Sequence, residues 1–239
     1  MIRGNASPKM RFGPREVLRF LRWQSRALFD TDMKFENIFE DYDQYWLSGE
    51  IETDLTNINL VKNWLEDGST VFDAGIGHAV TAEMLMKEKD LKISGIDISK
   101  VACERALKKG IHAEVRDINN GLGLESDEKY DYILLTEVIE HTLYPHKILL
   151  EAVDHVKKGV IVTIPNSAFI VYRTQLLRGY SPRQSFTHLH YWSIKDFEIF
   201  CNQLGIKTRD LAVPLPRILY PVRNMFAYAQ AWLLDPATL

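Results

Sequence analysis

From residue 69 onward the hydrophobic period of the chain switches repeatedly, and this rhythm limits the fold more than any other feature. Near-continuous apolar stretches of strand length (STVFDA, LKISGID, IHAEVRD, KYDYILLTEV, GVIVTIP) alternate with stretches at helical spacing (AVTAEMLMKE, KVACERALKK, PHKILLEAVDHV). Strands apolar on both faces and separated by helices build a parallel sheet that is covered on both sides. The rhythm breaks over residues 166–192, then resumes with IKDFEIFCNQ as a helix and GIKTRDLAV and MFAYAQAWLL as strands. No helix separates these last two, so the sheet is expected to close on an antiparallel edge. The fold class is therefore α/β, a doubly wound sandwich on a mostly parallel, seven-stranded sheet.

The segment before this core has a different character. FENIFEDYDQYW (35–46) reads as a short aromatic helix and NINLVKNWLE (57–66) as another. Over 15–28, after Pro14, Arg15, Arg19, Arg22 and Arg26 fall on one helical face and Val17, Phe20, Leu21 and Leu28 on the other. Residues 1–29 hold seven Lys/Arg against Glu16, whereas 30–54 hold nine acids against Lys34. This asymmetry divides the chain into an N-terminal helical arm or lid, 1–54, and a main domain, 55–239, with a substrate-loop insertion at 166–192. The basic helix suits packing on the core with a solvated arginine face, or a peripheral membrane or protein contact. A homodimer is the other partner left open.

With 46% apolar and 26% charged residues and no apolar run near the ~20 residues of a membrane span, a globular cytoplasmic protein is expected. The net charge of −3 argues against bulk nucleic-acid binding. Cys103 and Cys201 lack metal-ligand spacing and read as free thiols.

The chemistry centres on VFDAGIGHAV, residues 71–80. Gly75 and Gly77 permit close backbone approach to a ligand, but Val80 stands where a dinucleotide loop places its third glycine. Asp73 would repel a pyrophosphate and would suit an ammonium group, which disfavours a nicotinamide-dependent dehydrogenase. Asp97 ends the second strand about 20 residues on, where an acid accepts from ribose hydroxyls, with Ile98 beside it. The two carboxylates describe a nucleoside with a cationic amino-acid tail.

Asp73-x-Gly75-x-Gly77, Gly95-Ile96-Asp97, Arg116-Asp117-Ile118 and TEVIEH, in this order, resemble the class I S-adenosylmethionine-dependent methyltransferases. The resemblance covers roughly residues 55–235 and implies a Rossmann-like methyltransferase sandwich with S-adenosyl-L-methionine as cofactor. It also implies that Asp117 binds the adenine amino group with Ile118 beside the ring, and that Glu137 belongs to the cofactor pocket. Within that class, IVTIPNSAFIVYRTQLLRGYSP and HLHYWSIKDFEIFC resemble the methionine biosynthesis protein MetW branch at Pro165, Asn166, Arg173, Gly179, Pro182, His190 and Asp196. That branch implies action beside homoserine acetyltransferase. The segment 183–190 is shorter here, and the basic arm is an addition.

In TEVIEH, Glu137, Glu140 and His141 stand at i, i+3 and i+4, and a helical turn would put them on one side. The string resembles the E-x-x-E-H of ubiquinone-pathway and small-RNA 2′-O-methyltransferases, where it binds a divalent metal. His188 or His190 is then the fourth ligand. The favoured reading is that these residues buttress the cofactor pocket and no metal is held; Glu137, Glu140, His141 and His190 form the minority metal set. Residues 166–192 carry Arg173, Arg178, Arg183, Tyr180, His188, His190 and Tyr191, and the arginines suit a substrate with carboxylate or phosphate groups. His141 and His190 are the candidate general bases, needed only if the nucleophile arrives protonated. Tyr42, Trp46, Asn166 and Arg173 are the candidate substrate contacts, with the aromatic helix at 35–46 closing over the site.

The resulting expectation is methyl transfer to oxygen or nitrogen of a small, anionic metabolite. The alternative is a MetW-like cofactor-binding regulator of a partner enzyme, with little or no turnover.

Overall fold

Every apolar stretch of strand length becomes a strand in the computed structural model, which describes residues 41–48, 55–180, 185 and 187–237. The strands are β1 (Ser69–Ala74), β2 (Leu91–Asp97), β3 (His112–Val115), β4 (Tyr130–Thr136), β5 (Val156–Pro165), β6 (Thr208–Ala212) and β7 (Ala229–Leu234). They form one seven-stranded sheet in the order β3-β2-β1-β4-β5-β7-β6. The first five are parallel, and β7 runs antiparallel to both β5 and β6, which is the expected edge.

Side chains alternate between the two faces, as a sheet buried on both sides requires. On one face Ile133, Leu135, Val160, Val162, Trp232 and Leu234 pack against helices α5 (Pro145–Asp154) and α7 (Ile194–Gln203). On the other, Leu134, Ile161, Ala231 and Leu233 meet α2 (Leu55–Val61), α3 (Val80–Glu88) and α4 (Lys100–Lys108). Each fully buried large side chain, such as Trp232 or Phe197, contributes roughly 1.5–3 kcal/mol by leaving water. Ser193 opens α7 with a reciprocal capping box to Asp196, which is why that helix begins cleanly after the irregular 187–192 stretch. Cys103 and Cys201 are both free and buried.

Three element boundaries differ from expectation. Asp41 has an extended backbone, and its carboxylate caps Gln44, so the aromatic helix α1 spans only Tyr42–Leu47. Residues 35–40 lie outside the described residues, as does the basic helix at 15–28. The stretch at 57–66 is helical only through Val61. Met225 and Phe226 end a short helix, α8 (Arg223–Phe226), and the last strand starts three residues later. Inside the 166–192 segment a further helix, α6 (Ile170–Leu177), follows β5.

The strand order reverses between β1 and β4, and such a reversal opens a crevice at the carboxyl ends of the parallel strands. Asp73 near the end of β1, Asp97 at the end of β2 and Glu137 just after β4 all belong to that edge.

Candidate active site

The glycine loop is pinned to the neighbouring strand by its own backbone. The N–H groups of Gly75 and Ile76 both donate to the Ile96 carbonyl, at 2.8 and 2.9 Å. Gly77 N–H donates to Asp97 Oδ2 and Ser99 N–H to Asp97 Oδ1, each at 2.9 Å. Asp97 thus ties the loop after β1 to the start of α4. Gly75 sits at φ 100°, and a Cβ there would run into Val138, so the glycine is needed for torsion and for space.

Asp73 is the electrostatic anomaly. It is 1% exposed, its Oδ1 accepts no hydrogen bond, and burial with the nearby Asp97 charge pushes its pKa up to about 7. Asp97 is also raised, by burial, although its bonds from Ser99 and Gly77 oppose the shift. Buried carboxylate oxygens nearly always have a donor. An orphan in this crevice therefore fits a ligand that brings its own cation, as the methionine ammonium of S-adenosylmethionine does.

At the next strand, Arg116 N–H donates to the Asp97 carbonyl at 2.8 Å, placing Asp117 one position further along the same edge. Asp117 Oδ1 accepts from both the backbone N–H and the Nδ2 of Asn119, at 2.9 Å each. Ile118 is half-buried against the core, while Ile98 is exposed.

Helix α1 lies across this crevice. A Cβ on Gly77 would stand 2.7 Å from the Trp46 indole, whose ring also meets His78 edge-on at 4.7 Å between centroids. The indole Nε1 of Trp46 and Nδ1 of His78 are both buried without a hydrogen-bond partner. Asp43 fastens the helix from its other side: Oδ1 accepts a short hydrogen bond from Ser99 Oγ and a 3.1 Å bond from Val101 N–H. A carboxylate at a helix N-terminus also meets the positive end of the α4 dipole. The Tyr42 hydroxyl shares a hydrogen bond with Thr187; its pKa is raised chiefly by burial, with smaller contributions from Asp97 and Glu140. One phenol is therefore within electrostatic reach of both Asp97 and Glu140 of TEVIEH.

TEVIEH does not form the expected single helical turn. Glu137 adopts left-handed torsions, φ 55°, and its N–H donates to the Thr163 carbonyl at 2.9 Å, while only Ile139–His141 forms a 3₁₀ turn. A left-handed non-glycine residue is strained backbone, which is concentrated at functional sites. Glu140 is 1% exposed, and neither carboxylate oxygen meets a donor. Its pKa lies well above the usual carboxylate range because of burial and the adjacent Glu137. His141 Nδ1 lies 3.2 Å from the Thr187 carbonyl, and its ring meets that of His188 edge-on at 4.6 Å. Burial lowers the pKa of His141, and burial together with His141 takes His188 down to about 3.

His190, the expected partner of His141, is engaged elsewhere. Its Nε2–H donates to the Thr142 carbonyl at 2.9 Å, and its ring stacks on Trp192. His188 occupies the place beside His141 instead. Asn166 is fully buried: its amide donates to the carbonyls of Asn224 and Ala227 and its Oδ1 accepts from Ala168 N–H, so it straps the loop rather than facing an acceptor. Arg173, on α6, is exposed and donates through Nε to the Ala168 carbonyl at 2.7 Å.

Thr187, Asp43 and Ser99 carried no individual signal in the sequence, because their roles come from contacts 46 to 58 positions apart. A histidine-rich HLH following an irregular segment was the one hint for His188.

Comparison with known proteins places this geometry. A family model described as methionine biosynthesis protein MetW matches residues 55–216, more than half of the chain. A ribosomal protein L11 methyltransferase from Dictyoglomus thermophilum is 28% identical over 122 residues, 48% of this chain and 40% of that protein. A mitochondrial ubiquinone biosynthesis O-methyltransferase from Candida albicans is 28% identical over 125 residues, 48% of this chain and 38% of that protein. The chain thus spans about two fifths of the length of the curated relatives it matches. Among solved structures, magnesium protoporphyrin IX methyltransferase from Synechocystis PCC 6803 with bound SAH superposes with a TM-score of 0.58 at 15% identity, over 92% of this chain and 95% of that one. An S-adenosylmethionine-dependent methyltransferase from Archaeoglobus fulgidus gives 0.59 at 15% identity, over 82% and 99%. The chain belongs to the family described as methionine biosynthesis protein MetW and is built on the fold of the class I S-adenosylmethionine-dependent methyltransferases.

Proposed function

We propose that the protein is an S-adenosylmethionine-dependent methyltransferase acting on oxygen or nitrogen of a small, anionic metabolite. The observation that carries this reading is Asp73, a buried carboxylate with an oxygen left unpartnered beside a loop cross-linked by Asp97. The cofactor supplies a methyl group on a sulfonium. Asp73 would meet its ammonium end, Asp97 its ribose and Asp117 its adenine edge, and Trp46 would exclude water above the loop. Catalysis then rests mainly on positioning, since displacement at a methyl carbon needs the nucleophile held in line. His141 can take a proton from an acceptor hydroxyl or ammonium: its Nδ1–H points to the Thr187 carbonyl, leaving Nε2 as the basic atom.

The acceptor end is inferred from the cover and its charge. Tyr42, half-buried and hydrogen-bonded to Thr187, favours a small acceptor. The exposed Arg173 on α6 favours an anionic one. Screening small carboxylates and phosphates for S-adenosylhomocysteine formation tests the proposal. Turnover with bulk protein substrates and none with small acids would reject the acceptor class.

A second reading is favoured by the surface. Leu177 and Ile218 are 88% and 85% exposed, two large aliphatic side chains open to a partner. Under that reading the protein is a MetW-like module whose cofactor occupancy regulates a partner enzyme. Cofactor binding without turnover on any acceptor, together with a cofactor-dependent complex, would favour it.

A further inference from the structure

We propose that the carboxyl edge of the sheet, at the corner where β5 meets β7, is a docking face for an anionic lipid bilayer. Helix α6 leaves and α8 arrives at this corner, since Pro165, the last residue of β5, pairs with Ala229, the first of β7. The Asn166 amide straps the two segments together by donating to the Asn224 and Ala227 carbonyls. Leu176, Leu177 and Tyr180 are exposed on and just after α6. Ile218, Val222 and Met225 are exposed on the 3₁₀ turn Arg217–Val222 and on α8. Leu177 and Ile218 are the two most exposed large apolar side chains among the described residues. Such side chains gathered at one edge, rather than scattered singly, mark a contact surface.

The charge of the face decides what covers it. Residues 155–195 and 211–234 hold eight Lys/Arg and none of the chain's 32 acids, in a protein of net charge −3. Arg173, Arg178 and Arg217 are exposed and Arg223 is half-buried, and among the described residues none of the four makes an ion pair. Lys62, Lys87, Lys109 and Arg209, elsewhere on the surface, are each paired with an acid. Unneutralised guanidinium groups beside protruding aliphatic side chains match anionic headgroups over hydrocarbon. The arginines meet lipid phosphate, the Leu and Ile tips enter the acyl boundary, and Tyr180 lies at the interface between them.

Other occupants fit less well. A second copy in a two-fold contact would set these arginines against themselves, with no acid to answer them. A nucleic acid would use the arginines and leave the aliphatic tips in water. A protein would need pockets shaped for the protruding tips and acids opposite the arginines, whereas a bilayer requires neither. Docking turns the carboxyl edge, and with it the crevice, toward the membrane. The face does not depend on the methyltransferase reading.

The test is flotation of the full-length protein with vesicles of phosphatidylcholine alone, and of phosphatidylcholine and phosphatidylglycerol in equal parts. The protein should float with the mixed vesicles, stay free of the neutral ones, and be released by raised salt. Leu177→Asp with Ile218→Asp should weaken binding to the mixed vesicles at least about tenfold, and Arg178→Glu with Arg217→Glu likewise. All four positions are exposed, so the circular dichroism spectrum should not change. Leu107→Asp, exposed on α4, should leave binding as it is. No binding to the mixed vesicles overturns the proposal. Equal binding by the wild type and the Leu177→Asp, Ile218→Asp variant overturns it as well, by moving the contact to other residues of the chain. A dimer or a complex with another protein, lost in that variant while vesicles are not bound, would assign the face to that partner instead. Calorimetry with S-adenosylhomocysteine on the same proteins reports the cofactor site separately, so failure of one reading is told from failure of the other.

Discussion

Replacing Asp73 by Asn should make the protein more stable and, at the same time, unable to hold its cofactor. Burial and Asp97 raise the carboxyl from 3.8 to about 7 in the folded chain. The unfolded chain loses this proton near pH 4, while the folded chain keeps it to about pH 7. Between those values folding takes up a proton, so stability falls as pH rises, and the penalty is complete above pH 7. A displacement of about three pK units corresponds to roughly 4 kcal/mol, an upper bound because buried sites relax on ionising. Taking about 2 kcal/mol, the neutral Asn should melt roughly 4–8 °C higher at pH 8 for a domain of this size. The gain should shrink toward zero as pH is lowered to 5 and below. Scanning calorimetry of both proteins at pH 5 and 8 measures it, repeated with saturating S-adenosylhomocysteine. The ligand should raise the melting temperature of the wild type and barely move that of the variant. Equal melting temperatures at pH 8, or a variant stabilised by the ligand as much as the wild type, would refute the claim that this carboxylate is held at a cost for a cationic ligand.

Asp97→Ala removes both backbone bonds that tie the loop to α4, and should weaken S-adenosylhomocysteine binding at least 100-fold by calorimetry; unchanged affinity would place the ribose elsewhere. Trp46→Ala should uncover the loop above Gly77 and lower cofactor affinity about tenfold, while Gly77→Ala should produce a similar loss by displacing the indole. Asp43→Ala should free α1 from Ser99 and Val101, seen as faster hydrogen exchange over residues 42–47. Deleting residues 1–30 should leave cofactor affinity nearly intact, whereas deleting 1–50 should weaken it; equal affinity in both would show that α1 is not a cover.

Periodicity carried most of the fold. STVFDA, LKISGID and KYDYILLTEV could be read as buried strands because each is apolar on both faces, and the antiparallel edge followed from a missing helix. The boundary errors have local causes. Asp41 opens α1 because its side chain caps the Gln44 N–H, and Met225 and Phe226 are as apolar in a short helix as in a strand. Asp73, Asp97 and Asp117 could be placed at or just beyond the carboxyl ends of strands, because strand ends are set by sequence. TEVIEH could not be so placed, since i, i+3, i+4 spacing presupposes a helix, and the left-handed torsion of Glu137 is invisible to spacing. His188 and His190 differ by two positions in an irregular segment, where no periodicity says which ring turns toward His141.

The position of Tyr42 bears on the order of events in a catalytic cycle. The same short helix that sets Trp46 over the glycine loop also binds Thr187, whose carbonyl holds His141. On the proposed reading, a single cover over two neighbouring compartments would make their traffic sequential. Whatever sits deepest, beneath Trp46, would then enter before the acceptor compartment closes and depart after it has opened. Initial-rate kinetics should then show an ordered mechanism, with the spent cofactor as the last product released and a competitive inhibitor against the fresh one.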